Sequence, residues 1–158
     1  MMGLMIALFV GCDTGFPVGG EGPPGGEPPS TTDTVTIRLI NLNRAEAVEV
    51  EFFATNAPIS VLPDELFVAE NRIQASIGVA GTGILEPFAE DMIQIACTMS
   101  LSVGTFGGTF LDNETGDVLG MGQPRWAQDA PLGLCGGTVT FVYHKNDDGF
   151  LTTLLIGL

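Results

Sequence analysis

Basic residues are scarce in this chain of 158 residues: five Lys and Arg stand against nineteen Asp and Glu, for a formal charge of −14. A surface that anionic repels phosphate backbones, which argues against a nucleic-acid partner, and it disfavours direct adsorption to anionic lipid. Histidine occurs once, at His144, so metal centres built on several imidazoles are excluded and any Ser–His–Asp site would have to use that residue. The chain has one Trp and one Tyr. Glu86, Glu90 and Asp91 therefore lack the stacking aromatics of a glycosidase cleft and read as solvated loop acids. No Gly-x-Ser-x-Gly or dinucleotide fingerprint occurs, and Gly104-Thr105-Phe106-Gly107-Gly108 lacks the lysine of a phosphate-cradling loop. Catalysis, an envelope hydrolase included, is not expected. Long apolar runs are missing too: the apolar start, Met1 to Val10, falls short of the roughly 20 residues a spanning helix needs.

What is present points to export. Met1 to Val10 is apolar, Gly11 is small, and Cys12 opens an abrupt change to Asp13-Thr14-Gly15-Phe16-Pro17. That order looks like a bacterial lipoprotein signal. The resemblance implies that residues 1–11 are a signal peptide, that Cys12 carries lipid, and that the protein is exported and membrane-anchored at the bacterial cell envelope. Residues 12–33 follow as a tether: six glycines and five prolines fall within residues 13–33, with no apolar period to bury. A flexible chain of that length has an r.m.s. span of about 25 Å. With Cys12 lipidated, Cys97 and Cys135 remain as a disulfide pair.

From residue 34 to 158 the composition suits one folded domain: the chain is 45% hydrophobic and 15% charged, with turn-forming glycines and prolines. Three segments alternate apolar and polar with period two, namely Thr34–Leu39, Ala47–Phe53 and Arg72–Val79. Further strands are predicted at 92–97, 101–106, 109–111, 118–121, 138–145 and 150–156. Asn146-Asp147-Asp148-Gly149 is a hairpin turn, Asp112 to Gly116 a second tip, and Pro63 to Ala69 the only short helical stretch. This pattern predicts an all-β, two-sheet antiparallel β-sandwich of about seven to nine strands, with an open barrel as second choice. A membrane barrel is disfavoured because Glu49 and Glu51 alternate with the apolar residues. Cys97 is in phase with Ile93 and Ile95 and should face the core. Ile37-Arg38-Leu39-Ile40-Asn41 followed by Ala47-Val48-Glu49-Val50 resembles the start of a family of extracellular sandwich domains of bacterial surface proteins. In that family an Arg-x-x-Asn strand end precedes a Val-acid-Val strand. The resemblance implies an exported β-sandwich and no particular activity.

Two places carry candidate chemistry. Asp112, Glu114 and Asp117 crowd oxygen ligands into one turn, and Asp147 with Asp148 into another, so calcium is the one cofactor with candidate ligands. Arg125 and Trp126 follow Pro124 on a predicted loop. They are either a binding anchor or, for the tryptophan, a plug at the end of the core. His144 is out of phase with Val139, Phe141 and Tyr143 and is expected at the surface. The chain therefore reads as a lipid-anchored envelope protein of structural or interaction role, with a protein or glycan partner. A calcium- or carbohydrate-binding module is the alternative.

Overall fold

Alternating side chains decide which face of each strand is buried, and the first strand sets the pattern. Along Thr34–Asn41 the residues Val35, Ile37, Leu39 and Asn41 are fully buried, while Thr36, Arg38 and Ile40 stand on the other face. The computed structural model describes residues 34–61, 63–73, 77–78 and 81–157. Its strands in chain order are β1 (Thr34–Asn41), β2 (Glu46–Glu49), β3 (Phe52–Thr55), β4 (Arg72–Ile73), β5 (Ile84–Leu85) and β6 (Glu90–Ala96). They continue as β7 (Ser102–Thr105), β8 (Thr109–Asp112), β9 (Val118–Met121), β10 (Arg125–Gln128), β11 (Thr138–Asn146) and β12 (Gly149–Gly157). The expected signal segment, Cys12 and the tether lie outside the described residues, as do parts of the strand predicted at 72–79.

The fold is all-β, and its strands form three four-stranded sheets. One is a front layer in the order β12-β11-β1-β6. β11 and β12 form the expected hairpin, and β1 pairs antiparallel with β6 but parallel with β11. The parallel pair joins strands from opposite ends of the domain, so the rest of the chain serves as its crossover.

The other two sheets, β10-β7-β3-β4 and β5-β2-β8-β9, run end to end as a bent back layer. β2 passes into β3 through Val50-Glu51, and β7 into β8 through residues 106–108. Hydrogen bonds continue across the bend: Phe106 N donates to Glu51 O (3.2 Å), Gly122 N to Gly108 O (3.0 Å) and Val50 N to Gly83 O (2.8 Å). Gly107 and Gly108 make the bend, with φ of 109° and 68°. A Cβ on Gly108 would strike the Tyr143 ring and Val48. The segment predicted as one strand over 47–53 is thus two, divided where the layer bends.

Front and back layers enclose the core. Phe52 and Phe141 meet across it edge to face at 5.9 Å, and the Tyr143 hydroxyl, fully buried, donates to Thr105 Oγ1 at 3.0 Å. Each end of the sandwich is closed by an asparagine. At one end, Asn41 Nδ2 lies within reach of the carbonyls of Glu46 (2.9 Å), Leu85 (3.0 Å) and Glu86 (3.1 Å). Its Oδ1 accepts from Asn43 N (3.0 Å) and Asn43 Nδ2 (2.6 Å). At the other end, Asn56 Nδ2 donates to Ala96 O (2.9 Å) and Asn56 Oδ1 accepts from Thr98 N (3.0 Å). Cys97, buried as its phase predicts, is disulfide-bonded there to Cys135. A link across 38 residues stabilises by about 4 kcal/mol on the chain-entropy model.

Pro63 to Ala69 forms turns rather than a regular helix. Leu66 N and Phe67 N both donate to Pro63 O, and a single 3₁₀ turn follows at Ala69–Asn71.

Asn41 leads to a stability prediction. Asn41→Ala removes the amide donor facing the Glu46, Leu85 and Glu86 carbonyls and the acceptor of Asn43, and should lower the unfolding free energy by about 3 kcal/mol in urea titration. Asn41→Asp, which sets a carboxylate against the same carbonyls, should be worse at neutral pH.

Candidate functional site

A row of directly paired residues crosses the outer face of the back layer. Arg72 pairs with Phe53, Phe53 with Gly104, and Gly104 with Trp126. Their neighbours Phe52, Val103 and Ala127 point into the core, so alternation forces this second set outward. Gly104, the one position of that row without a side chain, leaves a gap. Leu66 and Phe67, carried by the turn from Pro63, fill it. A Cβ at 104 would lie 2.9 Å from Leu66 Cδ2 and 3.0 Å from Phe67 Cε1, so glycine is what lets this segment seat.

Phe67 then becomes the centre of an aromatic cluster. Its ring meets Phe53 at 5.2 Å, Phe106 at 5.4 Å and Trp126 at 6.3 Å, each close to perpendicular. Phe106 and Trp126 remain 43% and 39% exposed, too open for core residues. Between them lies a groove of about 570 Å³ whose apolar lining is Pro63, Phe67, Phe106, Pro124 and Trp126. Asp64, Gln123 and Arg125 supply its polar groups. Apolar walls with a few polar groups are the usual composition of a binding site.

Arg125 lies at the sheet edge, on the terminal strand β10. Its guanidinium donates to Pro124 O (3.1 Å) and Gln123 Oε1 (3.4 Å). Arg38, Arg72 and Lys145 are each paired, with Glu90, Glu51 and Glu46. Among the described residues no carboxylate lies within salt-bridge distance of Arg125. The groove thus offers a guanidinium that is in no ion pair among the described residues.

The predicted loop around Arg125 and Trp126 is corrected: both belong to a strand, because they extend the ladder of β7. Trp126 does not plug the end of the core. Sequence reasoning passed over Phe67 and Phe106. A signal existed in Phe106, a large apolar residue in the outward phase of a strand, two places beyond Gly104.

The other candidates are dispersed. Asp112 Oδ1 accepts from Glu114 N and Thr115 N (both 2.9 Å), and Asp117 Oδ2 accepts from the Thr115 hydroxyl (3.0 Å). Asp112 and Asp117 therefore organise their own turn, while Glu114 is exposed. Those backbone N–H groups hold the Asp112 carboxyl below its ordinary range. Among the described residues, Asp112, Glu114 and Asp117 do not converge as a ligand set. The set whose donor atoms do lie within 4.8 Å is Cys97, Asp129 and Cys135. There both sulfurs are committed to the disulfide, and Asp129 Oδ1 accepts from Cys135 N (2.9 Å). Asp148 N donates to Asn146 Oδ1 (2.9 Å), so the second acidic turn is likewise a hairpin tip. His144 is half-buried on the front layer, with Nε2 3.0 Å from Thr153 Oγ1.

No protein-family model, curated protein or solved structure matches the chain. Among the described residues no helix is long and apolar enough to cross a membrane.

Two outcomes are expected. Gly104→Ala should displace Phe67, shift the emission of Trp126 to the red, and lower stability by about 1–3 kcal/mol through overpacking. The lowered Asp112 pKa contributes stability that is present above the unfolded value and is lost as pH falls below about 4. Asp112→Asn keeps the turn acceptor and removes the titration, so its melting temperature should fall less steeply over that range.

Proposed function

We propose that the chain is an exported, lipid-anchored protein of the bacterial cell envelope, with a non-catalytic interaction role served by the groove around Trp126. The observation that carries the interaction reading is the pair of half-exposed rings, Trp126 and Phe106, beside a guanidinium that has no carboxylate partner among the described residues. Aromatic rings paired with arginine are over-represented where surfaces bind, because both give large contact area with directional polar groups. The remaining acidic residues keep the domain soluble while this patch stays apolar.

Attachment is supported by the order of residues around Cys12 and by the cysteine count. With Cys97 and Cys135 bonded to each other, Cys12 is the one thiol left over. A disulfide in a small domain fits an oxidising compartment outside the cytoplasm. Lipid on Cys12 would hold an acidic protein at a membrane that its own charge repels. The partner, protein or glycan, would meet the domain at Trp126 rather than at the acidic turns.

Mass spectrometry of the mature protein tests the attachment. The expected mass is that of a chain beginning at Cys12, carrying a diacylglyceryl group and lacking two hydrogens for the Cys97–Cys135 bond. A chain that retains Met1 would contradict the reading.

A further inference from the structure

The groove has an apolar, cation-edged character, and the same chain carries a segment of complementary chemistry. Residues 21–30 read Glu-Gly-Pro-Pro-Gly-Gly-Glu-Pro-Pro-Ser, two Pro-Pro pairs each preceded closely by a glutamate. We infer that this segment is a ligand of the groove in cis, its prolines against Trp126, Phe106 and Phe67 and its glutamate beside Arg125.

Three observations support this choice of occupant. First, the wall chemistry fits. Proline fixes φ near −65°, so Pro-Pro pairs lose little conformational freedom on binding, and aromatic-lined grooves are the surfaces that take such segments. The groove supplies three aromatic rings with Pro63 and Pro124 beside them.

Second, the charges match. The domain surface is strongly acidic, and three of its five basic side chains are already paired. Arg125 is a cation at the groove without a carboxylate partner among the described residues, and Glu21 and Glu27 flank the prolines. Asp64 also lines the groove, and a second acid would be repelled from its side, so the contact requires the glutamate to approach from the Arg125 edge.

Third, the length of chain before β1 suits a contact in cis. β1 begins at Thr34, paired with Ala96, and Ala96 O accepts from Asn56, the residue just after β3. The chain therefore enters the domain beside the end of the strand that carries Phe53 into the aromatic cluster. At about 3.3 Å per residue, the segment from Pro28 to Thr34 reaches roughly 20 Å and that from Pro23 roughly 35 Å. The Pro23-Pro24 pair thus has nearly twice the reach of Pro28-Pro29 toward the groove of its own domain.

Occupancy in cis would place a self-ligand where an outside partner also has to bind. Such a partner would compete against a high effective concentration of the tether. The inference does not rest on lipidation, since an unmodified Cys12 leaves the groove and the segment unchanged.

Trp126 is the only tryptophan, so fluorescence excited selectively at tryptophan reads this site alone. The test compares acrylamide quenching of the full mature chain with a variant carrying Pro23, Pro24, Pro28 and Pro29 all changed to Ser. These substitutions lie before residue 34, outside the described residues, and leave every residue of the twelve strands unchanged. The quenching constant of the variant should rise by about twofold, as a covering segment is lost, and added synthetic peptide of residues 21–30 should bring it back down. A charge swap adds a specific readout: Glu21→Arg with Glu27→Arg should raise quenching, and Arg125→Glu in the same chain should reverse it. Equal quenching in the wild-type chain and the proline variant would overturn the inference. Protection that disappears on dilution would overturn the cis assignment in favour of a second copy.

Discussion

The side chain of Asn41 joins more separate elements than any other contact described. It terminates β1, reaches the starts of β2 and the loop after β5, and holds Asn43, whose neighbour Leu42 donates to Tyr143 O at 3.0 Å. A buried amide offers two donors and two acceptor sites, and here both ends are used, the nitrogen toward carbonyls and the oxygen toward Asn43. Front and back layers are therefore locked in one register at this end. An apolar residue could fill the same volume, but it could not specify which strand end meets which.

The opposite end is closed by different means with the same effect. Asn56 joins the end of β3 to the end of β6, and the Cys97–Cys135 bond with Asp129 joins β6 to the segments flanking β10 and β11. Clamped at both ends, the back layer accommodates its length by bending in the middle, at Glu51 and at Gly107-Gly108. The bend separates the layer into two faces. On one of these, the glycine at 104 admits Phe67, and the aromatic groove follows from that single missing Cβ.

Much of the frame was legible in the sequence. Val35, Ile37 and Leu39 marked β1, Cys97 kept phase with Ile93 and Ile95, and Asn146 to Gly149 marked the β11–β12 turn. The division of β2 from β3 was not legible, because Val48, Val50 and Phe52 remain buried through the bend and the period never breaks. β10 was missed since Pro124 opens it and only four residues follow. The groove was half legible: Arg125 and Trp126 stood out by rarity. Phe67, though, reaches Gly104 from a distant turn, and tertiary seating of that kind leaves no local pattern. The acidic cluster at Asp112 was visible as a turn, and the carboxylates of Asp112 and Asp117 serve the turn itself.

Amide hydrogen exchange on the mature chain tests the central claim most directly, that the Asn41 contacts hold the two layers together. Asn41, Leu42 and Asn43 lie at or beyond a strand end, where amides ordinarily exchange through local fraying. On this account they exchange only through global unfolding, at rates matching the centre of β11. Exchange as fast as at the exposed 113–117 tip would contradict it.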